Sequence, residues 1–485
     1  MAIKPLPSLI AIGIALAIWF VIPVPNGVDP NAWHLLAIFI ATIAAIIGKA
    51  LPIGALAILA MAVVAITGVT NDSPSGAIKD ALSSFSSPLI WLIGLSIMIS
   101  RGLIKTGLGA RIAYYFISLF GRKTLGIGYS LAFSELVIAP ITPSNTARGG
   151  GIIHPIMRSI ASSFHSTPEE GTSGKIGRYL ALVNYNTNPI TSGMFITATA
   201  PNPLVVKFVA EATGSQIELT WTTWALAMLL PGLACLLVMP LVIYWLSPPE
   251  VKSTPDATKF ARERLKELGA IKRDEWIMLG VFALLLLFWA DIPALVFGEG
   301  AKLHSATTAL LGLSLLLITG VLSWDDVLKE RSAWDTIVWF SALIMMASFL
   351  NKLGLIGWFA DSIQSGIATM GVNWIVAAAI LTLVFLYSHY FFASTTAHIT
   401  AMFAAFYAAG LSLGAPPMLF ALIMAAAGNL MMSLTHYATG TAPVIFNSGY
   451  VSLGRWWSIG FVMSVINLAL WIGVGLLWWK LLGYY

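Results

Sequence analysis

APITPSNTARGGG, residues Ala139 to Gly151, is the stretch on which the reading of this chain turns. It crowds two prolines, a Ser-Asn-Thr triplet, an arginine and three glycines between LAFSELVI before it and IIHPIM after it. Both flanks are apolar enough to sit in a membrane. In hydrocarbon each unpaired backbone group costs several kcal/mol, so a polar break of this kind survives only under cover of protein or in a water-filled cavity.

The rest of the chain supplies that context. Of its 485 residues 58% are hydrophobic and only 10% are charged, with a mean hydropathy of +0.86; soluble domains carry roughly a quarter charged residues. Long apolar runs recur at 7–24, 32–49, 53–70, 221–246, 303–321 and 455–479. Each is long enough to cross a hydrocarbon core of about 30 Å, and with broken segments about eleven spans are expected. The fold class is an all-α polytopic membrane protein. The run after Lys4 lacks a cleavage signature and is expected to stay as the first transmembrane helix. Cys235 is the single cysteine, which excludes disulfides within the chain and cysteine metal sites. No zinc spacing, phosphate loop or nucleotide fingerprint is present, so no cofactor, no metal and no nucleic-acid partner is expected. The expected surroundings are the lipid bilayer, as a multi-pass protein of a bacterial inner membrane.

One long polar interruption, SPPEVKSTPDATKFARERLKELGAIKRDE at 247–275, is rich in lysine and arginine. Helical spacing with Phe260, Leu265 and Leu268 as a thin apolar stripe predicts an interfacial or linker helix on the cytoplasmic side. Around it the chain repeats itself in order. LIKTGLGARIA (103–113) resembles FLNKLGLIGWFA (349–360), SNTAR (144–148) resembles STTAH (394–398), and TATAP (197–201) resembles TGTAP (439–443). Arg158, Lys175 and Arg178 follow the first polar motif, whereas AAGLSLGAPP after the second carries no charge. By the positive-inside rule the two connections lie on opposite sides, so the repeats are expected to be inverted. The expected organisation is N-terminal scaffold helices at 1–85, then a first repeat at 86–246 with a hairpin at 124–147 and an unwound segment at 197–202. The cytoplasmic segment 247–275 and scaffold helices at 276–330 come next. A second repeat at 331–485 has its hairpin at 373–396 and unwound segment at 438–443.

Polar breaks fall at 139–151, 184–202, 393–398 and 435–443. Interrupted helices present free N–H groups and positive dipole ends, and hydroxyl and amide side chains add donors. Together these make an anion site without a permanent charge of its own. Small and hydroxylated residues also serve plain helix–helix packing, which is the competing reading of any one break. Recurrence at matching positions of both halves favours the anion site.

PSNTARGGG, ASTTAHITAM and YATGTAPVIFNSGY resemble the divalent anion/sodium symporter (DASS) family of di- and tricarboxylate transporters, over nearly the whole chain and nearest the bacterial exchangers of citrate, tartrate, malate or 2-oxoglutarate for succinate. The resemblance implies that Ser144, Asn145 and Thr146, with Ser394, Thr395 and Thr396, bind substrate carboxylates at hairpin tips. It implies that Thr199, Ala200 and Pro201, with Thr439, Gly440 and Thr441, complete the site. It also implies a homodimer of fixed scaffolds, each with a transport domain that moves as an elevator.

Sodium-coupled members have Asn in the middle of both triplets, whereas here the second has Thr395. Arg148 and His398 stand at equivalent positions two residues beyond each triplet. An ionisable group inside a membrane segment is rare and usually functional. One reading has Arg148 and His398 supplying fixed positive charge in place of sodium, so that the domain crosses readily only when an anion is bound. The other pairs Arg148 with Glu135, level with it across the hairpin, and makes the arginine structural; Phe385 takes the matching place beside His398. If His398 does act, its ordinary pKa of about 6.5 predicts exchange that weakens at alkaline pH. Asn184, Asn186 and Asn188 either line the unwound segment or bond across helices. His436 and Tyr437 are candidates to shape the pocket, His154 and His304 are expected to be structural, and the RWW (455–457) and LLWWK (476–480) clusters to anchor at the membrane interface. The expected function is secondary active, sodium-independent antiport of C4/C5 dicarboxylates such as succinate, malate and 2-oxoglutarate, with citrate and tartrate as further candidates. The rivals are Na⁺- or H⁺-coupled symport and, from another class, a membrane hydrolase using Ser144 or Ser394, for which no base is legible.

Overall fold

The long apolar runs become helices, because within a bilayer a helix satisfies its own backbone. The computed structural model describes residues 4–368 and 373–485, so a short part of the expected second repeat, 369–372, lies outside the described residues. Among the described residues there is no strand, only an isolated antiparallel bridge between Lys123 and Ser253. Seven helices among the described residues are long and apolar enough to cross a membrane, and five shorter apolar helices accompany them. Their outward faces are greasy: Ile66, Ile318 and Leu481 are each at least 80% exposed. The molecule is a multi-pass helical membrane protein.

The chain divides into two compact units. The first comprises 1–94, 203–218 and 330–424. Within it the Ile53–Thr67 helix packs on Arg331–Lys352. The second unit comprises 95–202, 219–329 and 425–485. Its core joins Trp221–Leu246 to Leu453–Leu481 and to Gly177–Met194. Trp456, Trp471 and Trp479 are buried in this unit. Trp478 and Trp479 donate their indole N–H groups to the Leu226 and Ala227 carbonyls. The C-terminal tryptophans expected to anchor at the membrane interface therefore belong in part to the helix–helix core.

Helix Pro255–Leu268 forms within the polar interruption; Phe260, Leu265 and Leu268 are half-buried, and Ala257, Thr258 and Ala261 beside them are fully buried. Small side chains let it lie close on Leu108–Phe120. Phe260 stays half-buried, edge-on to Tyr114, with the Arg264 guanidinium 5.0 Å from its ring centre. Arg111 ties the end of this segment down, with Nε 2.6 Å from Glu275 Oε1 and Nη1 on the Gly269 carbonyl.

Candidate functional site

The opening stretch breaks its helix as its prolines demand, although earlier than Pro143. The α-helix Thr124–Ile138 passes into a single 3₁₀ turn at Ala139–Ile141. Thr142 has left the helical region (φ −115°, ψ 89°), which the proline after it disfavours. A wide-turned helix then starts at Thr146 and runs into His154–Ser163. Ser144 Oγ accepts from the Ala147 N–H, and the Asn145 side chain accepts from the Thr146 N–H. These side chains cap the new helix in the manner that Ser and Asn favour.

Arg148 and Glu135 are fully buried and paired, with Nε 3.1 Å from Oε1. Nη1 donates to the carbonyls of Thr142 and Ala198, each at 2.7 Å, and Nη2 to Ser192 Oγ (2.8 Å) and Thr191 Oγ1 (3.3 Å). All five donors of the guanidinium are thus in use. The pair is neutral as a unit, so Arg148 is no unbalanced charge. Glu135 Oε1 also accepts from Asn188 Nδ2 at 2.6 Å and from Thr191 Oγ1 at 3.1 Å, while Glu135 Oε2 has no hydrogen-bond partner.

Asn188, one of the three asparagines that the sequence offered either to the unwound segment or to bonds across helices, is the hub of this network. Besides Glu135 it donates to the Asn145 carbonyl (3.1 Å) and accepts from Thr441 Oγ1 (3.1 Å). It sits on an unbroken helix, Gly177–Met194, that runs through Pro189. The run LVNYNTNP held the signal: asparagines with one face in an apolar helix need partners once buried. Asn184 donates to the Gly149 carbonyl and Asn186 to Leu182 of its own helix, so both serve packing.

The two TxTAP-like segments end helices in the same unit. Asn202 donates to the Ser192 and Phe195 carbonyls, which the helix end at Met194 leaves open, and its own oxygen accepts from Asn429. Thr199 is extended, and a new helix begins at Pro201, which has no N–H to lose. On the other segment, Asn145 Nδ2 donates to Thr439 Oγ1 at 2.7 Å. Gly440 lies where a Cβ would meet Thr146 Oγ1 at 2.5 Å, and a Cβ on Gly149 would meet Asn188 Nδ2 at 2.8 Å. Only glycine permits either approach.

The structure therefore gathers Ser144, Asn145, Thr146, Arg148 and Glu135 with Thr439, Gly440 and Thr441, and links the first unwound segment, at Ala198 just before Thr199, Ala200 and Pro201, to the same network. Ser144, Asn145, Thr146, Ala200 and Gly440 keep accessible surface, whereas Thr199, Thr439 and Thr441 are buried. His436 accepts at Nδ1 from Trp457, a contact no spacing rule announced.

The second triplet lies in the other unit with the same local device. Ser394 Oγ accepts from the Ala397 N–H, as Ser144 does from Ala147, and a wide turn follows at Ile399–Phe403. His398 is fully buried, with Nε2 3.1 Å from Ser388 Oγ and Nδ1 2.9 Å from His389 Nδ1. Phe392 stacks on its ring at 4.4 Å and Phe385 tilts against it at 4.7 Å. His304, in contrast, caps its helix by accepting from the Ala306 N–H.

The family described as the sodium:sulfate symporter transmembrane region matches residues 4–485. YflS of Bacillus subtilis is 51% identical over 482 residues, which is 99% of this chain and 97% of that protein. Dicarboxylate transporter 1, chloroplastic, of Spinacia oleracea is 45% identical over 99% of this chain and 82% of its own. Among solved structures, the Alcanivorax borkumensis YdaH transporter aligns with a TM-score of 0.55 at 13% identity, covering 89% of this chain and 97% of that one. At that identity the likeness speaks for the fold alone.

Proposed function

The chain belongs to the sodium:sulfate symporter transmembrane-region family of membrane transporters, and from that premise we propose that it exchanges C4 and C5 dicarboxylates across the membrane without sodium. The cargo class is supported by the spinach relative's name and by a site offering hydroxyl, amide and helix-end donors. In this proposal Ser144, Asn145 and Thr146 are donors for one substrate carboxylate, and Ser394, Thr395 and Thr396 for the other. Thr199 to Pro201 and Thr439 to Thr441 close the pocket around it. Inverted repeats, an elevator movement and a homodimer belong to the same proposal.

The single observation that carries sodium independence is the position of Arg148 Nη1 on the Thr142 and Ala198 carbonyls, beside the Glu135 carboxylate. Backbone carbonyls at a helix break and a buried carboxylate are the oxygen set that a sodium ion seeks. Here a tethered guanidinium fills it and cannot leave with the cargo. The substitution for sodium therefore works by occupying its ligands, with the charge balanced by Glu135. His398 acts in the second half by holding its triplet through Ser388 and His389. An empty site carries unmet donors through hydrocarbon, whereas a bound dicarboxylate satisfies them, which makes exchange the favoured cycle.

Radiolabelled succinate uptake into proteoliposomes tests this. Uptake that requires a dicarboxylate inside and is unchanged when choline replaces sodium supports exchange. Accumulation in empty vesicles driven by a sodium or proton gradient refutes it in favour of symport. Counterflow against unlabelled malate, 2-oxoglutarate, tartrate and citrate then ranks the cargo.

A further inference from the structure

We propose that the second unit carries a binding site for one anionic phospholipid at the base of the Thr124–Ile138 helix, away from the substrate site at the helix's other end. Two concavities meet there. A groove of about 580 Å³ is lined by Arg122, Lys259, Arg262 and Lys266, with Glu263 as its only acid. A cleft of about 550 Å³ runs along the helix between Leu125, Tyr129, Phe133 and Leu237, with Leu119 and Phe120 at its side. Arg122 lines both.

The two have opposite characters, and their junction names the ligand. Four cations against one carboxylate form an unneutralised pocket, and none of the four is ion-paired with a described residue. A soluble anion would answer the groove but leave the cleft bare. A zwitterionic lipid would fill the cleft and neutralise little of the groove. A phospholipid with net negative charge satisfies both, with headgroup oxygens on Arg122 and the Pro255–Leu268 helix and an acyl chain down the cleft. Basic pockets at the cytoplasmic end of membrane helices are suited to such headgroups.

The site is built rather than incidental. The turn before the helix is clamped to the linker: the Thr124 N–H donates to the Lys252 carbonyl, Thr254 N–H to the Arg122 carbonyl at 2.8 Å, and Thr254 Oγ1 to Gly121 at 2.9 Å. Those bonds fix the Arg122 backbone while its side chain stays exposed. Tyr129 Oη donates to the Leu237 carbonyl at 2.5 Å and sets the cleft wall. A bound lipid would join the hairpin base to the Pro255–Leu268 helix.

Native mass spectrometry and thermal unfolding of the full chain in nanodiscs test the proposal. The probes are phosphatidylglycerol in phosphatidylcholine, phosphatidylcholine alone, and inorganic phosphate added to the latter. The expected result is one retained phosphatidylglycerol and a raised midpoint that phosphate does not reproduce. Arg122→Gln should weaken retention about fivefold, and Arg122→Gln with Lys259→Gln and Arg262→Gln about a hundredfold, from roughly 1 kcal/mol per basic residue at an anionic surface. Leu237→Trp, which fills the cleft and leaves every charge, should also lose the lipid. Equal retention of both lipids, full stabilisation by phosphate alone, or retention unchanged in the triple variant overturns the proposal. Unchanged unfolding of each variant in phosphatidylcholine separates lost binding from lost folding.

Discussion

If the guanidinium of Arg148 stands where a sodium ion would otherwise bind, removing it should create a need for one. Arg148→Ala leaves Glu135 fully buried with no counter-charge and frees the Thr142 and Ala198 carbonyls, with Glu135 Oε2 already unpartnered. Breaking a buried ion pair from one side costs about 3–5 kcal/mol. An ion that then binds the vacated oxygens returns about 2.7 kcal/mol at a hundredfold its Kd. Half or more of the loss should therefore be recovered by salt of the right cation. The assay is unfolding of purified protein in matched NaCl, KCl and choline chloride. The wild type should not distinguish the three, and Arg148→Ala should be weakest in choline and recover in sodium. Adding Glu135→Gln to Arg148→Ala should abolish the recovery, because the carboxylate that attracts the ion is gone. An Arg148→Ala protein equally stable in choline and sodium, or a wild type that itself shifts with sodium, would refute the reasoning.

Asn188→Leu removes a donor to a buried carboxylate and the links to Asn145 and Thr441, a loss of about 3 kcal/mol read in the same unfolding assay; wild-type stability would count against its place as the hub. Gly440→Ala forces a methyl against Thr146 Oγ1, so succinate exchange should fall at least about tenfold while the folded protein is still recovered. Normal exchange kinetics in that variant would show that the close approach is dispensable. At the end of the Pro88–Thr106 helix Lys105 Nζ lies 2.6 Å from Asp326, which also accepts from Ser323, and these partners hold the Asp326 carboxyl well below the usual carboxylate range. A depressed folded-state pKa stabilises above the unfolded value of about 3.9 and loses that effect as pH falls below it. Asp326→Asn should therefore flatten the acid side of the stability profile below about pH 4, and an unaltered acid limb would exclude the pair from it.

Much of this was legible because hydrocarbon is a strict solvent. Apolar runs announced the helices, and Pro140, Pro143 and the Gly149–Gly151 run announced a break that no bilayer tolerates unsupported. What stayed hidden was who supports it. Asn188 and Asn202 lie on regular backbone, so nothing local tells which partners they take; their roles come from where three-dimensional folding puts carbonyls and a carboxylate. Pro189 reads as a break yet sits inside a continuous helix, since a single missing N–H is tolerated where neighbouring helices cover it. Hydropathy also fails to say which face a tryptophan takes. Trp456 and Trp479 have the composition of interface anchors and are buried against their own unit. The Pro255–Leu268 helix keeps Phe260, Leu265 and Leu268 half-buried and is fully buried only at Ala257, Thr258 and Ala261, because small side chains allow closer packing than Phe260 does.

The two halves share a backbone device and differ in what stands behind it. Ser144 and Ser394 each cap the helix that follows, and each helix opens into a wide turn. Behind the first cap a carboxylate and a guanidinium cancel, and the guanidinium occupies carbonyls from two broken segments. Behind the second, Phe385 stands where Glu135 would be, and His398 meets His389 nitrogen to nitrogen at 2.9 Å. Such a contact requires one ring to donate and the other to accept, so the histidines cannot both carry a proton on the facing atoms without moving apart. The first half is thus saturated by a tethered charge, while the second is held by shared hydrogen bonds inside an aromatic cage. Protonating Glu135 behind the first cap would break an ion pair, whereas protonating both His389 and His398 behind the second would break the bond between their rings.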